Sequence, residues 1–239
     1  MNRFLKFGAI GVIGLCILCG SCRYIYHKSI TYYPEFYQQR LKLEDAQLES
    51  AAKDFVFNSA NMLNAIKRKN KWSASFTEEQ INGWLEKRIS RDLPGAIPIG
   101  GYYPRVELEQ DRISFAMEYC PEDFESIVWA QLRVSISPPG CYHVIIEKAK
   151  LGVIPISNAM IRNDLERNLK KVNIPYEIKQ TDKGEIELVF DWREIDSEND
   201  WQTDPLIYRN RKVTIEQLDV LPGEIRISGT SKNLVRDEE

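Results

Sequence analysis

Only two histidines, His27 and His143, occur in the 239 residues, and neither has a metal-ligand or nucleophile partner close in sequence. A zinc site needs three or four N, S or O ligands, and no H-E-x-x-H pattern or C-x-x-C pair lies beyond residue 22. No G-x-S-x-G elbow, phosphate loop or dinucleotide fingerprint is present. Asp196, Glu198 and Asp200 match positions 1, 3 and 5 of a calcium loop, but Trp201 stands where the turn needs glycine and Ile207 where it needs the bidentate glutamate. That segment reads as a solvated acidic loop, and Glu122, Asp123 and Glu125 read as a turn. No excess of one charge occurs either. Without Arg3 and Lys6, 30 Lys+Arg face 35 Asp+Glu, a net of −5, which argues against nucleic acid as a partner. No cofactor and no catalytic residue are expected.

What the chain does have is a long uncharged run at its start. Arg3 and Lys6 precede sixteen residues without charge, Phe7 to Cys22, and Arg23, His27 and Lys28 follow, with Tyr24 and Tyr26 among them. A basic stretch before an apolar one is an export signal. As a helix, sixteen residues rise about 24 Å, somewhat under the ~30 Å hydrocarbon core; snorkelling cations and interfacial tyrosines cover the difference. Residues 1–28 therefore read as a signal or transmembrane anchor. Three fates remain open: retention as an anchor, cleavage before Cys22 with acylation of that thiol, and ordinary cleavage. In each the remainder is extracytoplasmic, in a periplasm or at a cell surface. Five cysteines occur, and two lie beyond the leader, Cys120 and Cys141, each beside a turn signal. In an exported domain they form either a disulfide across adjacent strands or two free thiols.

Pro34 to Asn70 predicts one long helix, because Leu48, Ala52, Phe55, Met62 and Ile66 recur on one face without an intervening proline or glycine. It ends in Lys67-Arg68-Lys69-Asn70-Lys71, which reads as a solvated helix end or a contact for anionic headgroups. Thr77-Glu78-Glu79-Gln80 is a capping box opening a second helix to about Ile89, whose apolar run Asn82 and Gly83 interrupt. After a Gly/Pro-rich loop the period changes to two. Ile113, Phe115, Met117 and then Val128, Ala130, Leu132, Val134 and Ile136 alternate with polar residues. A Pro-Pro-Gly turn returns Cys141 to Leu151. A third helix is expected over Asn158 to Lys171, with Ile161 and Leu165 in its stripe, and strands around 174–179, 185–190, 213–220 and 224–228. The fold class is α+β: about eight strands in a long curved antiparallel sheet wrapped against helices, preceded by the anchor and the long amphipathic helix. The expected divisions are 1–28, 29–71, 72–232 and a tail, 233–239.

Three segments carry a resemblance. Phe76-Thr77-Glu78-Glu79-Gln80-Ile81-Asn82-Gly83-Trp84-Leu85, Leu151-Gly152-Val153-Ile154-Pro155-Ile156 and Val220 to Gly229 are similar, in that order, to motifs of membrane-anchored bacterial proteins of the YpmS-like type. The last also resembles the closing hairpin of tubular lipid-binding (BPI/LmeA-like) domains. The resemblance covers about residues 72 to 230. It implies an extracytoplasmic domain with a curved sheet around a helix, holding a lipid in some relatives, and it brings no catalytic residues.

Two functions are therefore expected. In the first, a membrane-held, non-catalytic domain binds lipid or another apolar ligand in a groove lined by Ile113, Phe115, Met117, Val128, Leu132, Val134, Ile161 and Leu165, unless these residues fill a dry core. In the second, the chain is an envelope assembly factor that meets a protein partner through the long helix, some 55 Å if continuous. Apolar residues exposed on two faces of that helix would favour the second.

Overall fold

The computed structural model describes residues 28–121, 125–169, 176–191 and 211–233. The leader, Cys22, and the acidic loop with Asp196, Glu198 and Asp200 lie outside them. Among the described residues no helix is long and apolar enough to cross a membrane.

Two helices stand where one was expected: α1 (Glu35–Arg40) and α2 (Asp45–Arg68). Glu44 caps α2, its side chain taking the Gln47 amide while Gln47 returns to the Glu44 backbone. The two helices pack into different clusters. Tyr37 of α1 is buried with Ala116 and Ile127, whereas Ile66 of α2 is buried with Trp72 and Val213. The elements that follow are β1 (Lys71–Thr77), α3 (Glu78–Lys87), α4 (Ile89–Asp92), β2 (Gly101–Glu109), β3 (Arg112–Tyr119), β4 (Ser126–Ile136), β5 (Cys141–Leu151), β6 (Ile154–Pro155), α5 (Asn158–Leu169), β7 (Glu177–Gln180), β8 (Ile186–Asp191), β9 (Arg211–Leu221) and β10 (Glu224–Asn233).

The fold is α+β as expected, but the ten strands among the described residues form two antiparallel sheets rather than one of about eight. Seven strands form the larger, in the order β2-β3-β4-β5-β8-β7 with β6 beside β5; three form the smaller, β1-β10-β9. Register puts Val106, Phe115, Ala130 and Ala149 in one row across β2 to β5, and Met117, Val128 and Leu151 in the next. Alternation then makes this one apolar face, with Arg112, Ser114, Gln131 and Lys148 on the other. That opposite face is mixed: Arg112 and Arg133 both reach Glu147 on it, and Ala116 and Ile127 are buried there beneath Tyr37 of α1. On the apolar face, Leu85 and Ile89 bury Val106 with Ile113 and Phe115 packed against them, and β9 lies against β4. The α2 helix covers α3 and β1, its Phe55 ring 5.0 Å from Phe76 and 5.1 Å from Trp84.

The T-E-E-Q-I-N-G-W-L segment is a structural device. Thr77 and Gln80 make the expected reciprocal cap. Glu78 accepts the Leu108 N–H at 2.8 Å and an Arg40 N–H at 2.9 Å. Asn82, 1% exposed, accepts the Val106 N–H at 2.8 Å and donates to the Val106 carbonyl at 2.9 Å. Side chains of α3 thus close the outer edge of β2, where an unpaired ladder would otherwise be buried. A Cβ on Gly83 would come within 2.6 Å of Ala52 N and Leu48 O, so this glycine sets the approach of α2. The interruption of the apolar run is where the helix meets its neighbours.

Candidate functional site

Of the residues expected to line a groove, Ile113, Phe115, Met117, Val128, Leu132 and Val134 do share one face of the large sheet. Their surroundings differ. Met117 is buried, and Ile113 and Phe115 pack against the Leu85–Ile89–Val106 cluster, so this half is filled by α3. Toward β5, Val128, Ala130, Leu132 and Val134 face Leu151, Ala149, Ile146 and Val144 across the β4–β5 pairing. All eight are only half-buried. Ile161 and Leu165 are half-buried on α5, which lies beside β8. Ile161 lines a cleft of about 240 Å³ with Ile146, Ala149, Pro155 and Ile156, rimmed by Lys148, Lys183 and Glu185. Ligand pockets commonly occupy ~300–1,000 Å³, so this cleft alone is small for an acyl chain.

Cys120 and Cys141 are free thiols. Tyr119 pairs with Ser126 at one end of β4 and Ile136 with Tyr142 at the other. Ten residue steps of strand, about 33 Å, lie between them, against the ~4–7 Å between Cα atoms that a disulfide needs. Of the two alternatives, the disulfide is ruled out by this separation and the free thiols stand. Burial, with Glu125 and Glu118 nearby, raises the Cys120 thiol above its ordinary pKa.

His143 has a setting that local sequence did not reveal. Its Nδ1 lies 2.9 Å from Glu187 Oε1 and its Nε2 3.4 Å from Cys141 Sγ. A thiol, imidazole and carboxylate in line is the order an activated nucleophile requires. Nε2 also meets the Ser137 carbonyl at 3.0 Å, a stronger acceptor than sulfur, and Cys141 is buried. The imidazole therefore ties the β4–β5 turn to β8. Among the described residues no group of three His, Cys, Asp or Glu side chains is placed to hold a metal ion.

The α2 helix exposes apolar side chains as well as burying them. Leu48, Ala52 and Ile66 are buried, while Val56, Leu63 and, at 66% exposure, Phe57 face outward. The basic run Lys67 to Lys71 is exposed. Carbonyls in the last turn of α2 are taken by Arg211, which donates to Lys67 O at 2.9 Å and Lys69 O at 3.1 Å, and by Ser231, which donates to Ile66 O at 2.8 Å. No protein-family model matches the chain, and neither a curated protein nor a solved structure does.

Proposed function

We propose that the chain is an extracytoplasmic, non-catalytic domain held at the membrane by its leader, and that the apolar face of its large sheet takes a lipid or another apolar ligand. The observation that carries this reading is the β4–β5 strip. Eight apolar side chains, Val128 to Val134 and Val144 to Leu151 on the apolar face, stand in matched pairs with none fully buried. β9 covers part of β4, and an extended apolar chain laid along the remainder of the strip would remove its residual surface from water at about 25 cal/mol per Å². The long curved sheet around helices, implied by the resemblance to YpmS-like and tubular lipid-binding proteins, agrees with a site of this kind. Uptake of a fluorescent fatty acid by residues 28–239 tests the reading. Saturable uptake is expected, weakened about tenfold in Val134→Gln, whose polar amide replaces a half-buried apolar contact. No uptake by a folded domain overturns it.

One observation favours a second reading, an envelope assembly role. Phe57, Val56 and Leu63 give α2 an outward apolar surface besides its buried stripe. Crosslinking of the full chain in its native envelope, lost in Phe57→Ser, is the outcome that reading requires.

A further inference from the structure

The exposed apolar residues are not spread evenly over the large sheet. At one end, the β2–β3 turn carries Gln110 and Asp111, and the β4–β5 turn carries Ser137, Pro138, Pro139 and Gly140. The opposite end carries Tyr32 (45% exposed), Ile99 (97%), Tyr102 (53%), Tyr103 (49%), Val153 (44%) and Ile154 (36%). These come from three separate segments, and register brings them together. Gly101 pairs with Tyr119 and Tyr119 with Ser126. The Gly152 N–H donates to Ile127 O at 2.7 Å, and the Cys120 N–H to Gly100 O at 2.7 Å.

The chain leaving the leader is fixed at this same end. Ile30 is buried; Ser126 Oγ donates to its carbonyl at 2.6 Å, and the Val153 N–H donates to Ser29 O at 2.8 Å. Gly152, at φ +59°, leaves no room for a side chain, since a Cβ there would lie 2.0 Å from Ser29 O. Cys22, the last residue of the uncharged run, precedes Lys28 by six residues, a reach of at most ~21 Å when fully extended. Whether the leader spans the bilayer or Cys22 carries the lipid, the tether is short. It holds this end of the sheet near the headgroups.

We infer that the end of the seven-stranded sheet bearing Tyr32, Ile99, Tyr102, Tyr103, Val153 and Ile154 is a bilayer-contact surface that seats the domain on the lipid interface beside its anchor. The inference rests on the membrane-held reading above and adds the domain's orientation and its lipid partner. Tyrosines with an apolar body and a hydroxyl tip suit the headgroup layer, and Ile99 and Val153 suit the acyl boundary. Charge plays a small part, because Lys28 and Lys150 stand against Glu118 and Glu125 at this end. The contact is therefore apolar and insensitive to salt.

The test uses the full chain reconstituted in phosphatidylethanolamine–phosphatidylglycerol vesicles containing a doxyl-labelled phospholipid. Ile99→Trp and Tyr102→Trp place a reporter on the surface, and Gln110→Trp places one at the far end; all three sites are exposed, so the fold is kept. After subtraction of the parent's emission, quenching by the lipid-borne label should be several-fold stronger at 99 and 102 than at 110, and unchanged by added salt. Vesicle flotation separates the two claims. A chain that floats but shows equal quenching at all three sites overturns the seating surface, leaves the anchor standing, and makes these residues available to a protein partner. A chain that does not float overturns both.

Discussion

Replacing Asn82 with leucine tests whether α3 side chains complete the edge of β2. The asparagine is 1% exposed and bonds both the N–H and the C=O of Val106, at 2.8 and 2.9 Å. Leucine has similar bulk and no polar atoms, so Asn82→Leu leaves two buried backbone groups unpaired. Each costs about 1–3 kcal/mol, and the gain from burying an apolar side chain returns part of that. A net loss of about 3 kcal/mol is expected. At ~2–4 °C per kcal/mol for a domain of about 200 residues, Tm should fall by roughly 6–12 °C. The assay is urea and thermal unfolding of residues 28–239 followed by circular dichroism, with the urea midpoint lowered and the slope unchanged. Asn58→Ala is the control: its amide makes a single 3.3 Å bond to Gln80, and it should cost less than about 1 kcal/mol. If Asn82→Leu loses no more than the control, the asparagine does not close that edge and the structural reading of the motif fails.

Gly83→Ala should cost several kcal/mol by forcing α2 off α3, because its Cβ would lie 2.6 Å from two backbone atoms; a melting temperature within a degree of the parent would refute this. Tyr33 donates to Glu118 at 3.2 Å, and burial, then Glu118, push its phenol up to about 12. A raised folded pKa favours the protonated form, so its contribution is complete below the unfolded value of ~10 and is lost as pH rises toward 12. Tyr33→Phe should flatten stability against pH across that window, read by urea midpoints at stepped pH. Both thiols beyond the leader are free, so thiol titration of unfolded, unreduced residues 28–239 should count two; a count of zero would contradict the strand order around β4.

Much of the fold was legible because its signals are local. Alternation gave β3 and β4 and the Pro-Pro-Gly turn gave β5, while β6 was missed; the Thr77–Gln80 box joins residues three apart. The stripe Leu48, Ala52 and Ile66 follows the helical period and is buried as the period predicts. What escaped depends on partners far along the chain. Asn82 and Gly83 looked like faults in an apolar run, since Val106 and Leu48 lie 24 and 35 residues away. Glu187, 44 residues from His143, gave no sequence hint of their contact. The break after α1 had a visible signal, Glu44 and Gln47 at capping-box spacing, masked by the lack of a proline or glycine. The groove was half legible. Period two put Ile113 to Val134 on one face, yet nothing in the period says that α3 covers the β3 half while β9 lies over part of β4 and leaves the β4–β5 strip half-buried.

The most direct test of the lipid-binding reading is extraction and mass spectrometry of what co-purifies with residues 28–239 made in an exporting host. The account predicts a stoichiometric lipid or other apolar molecule, displaced by fatty acid and reduced in Val134→Gln. A folded domain that carries nothing and takes up no fatty acid would contradict it.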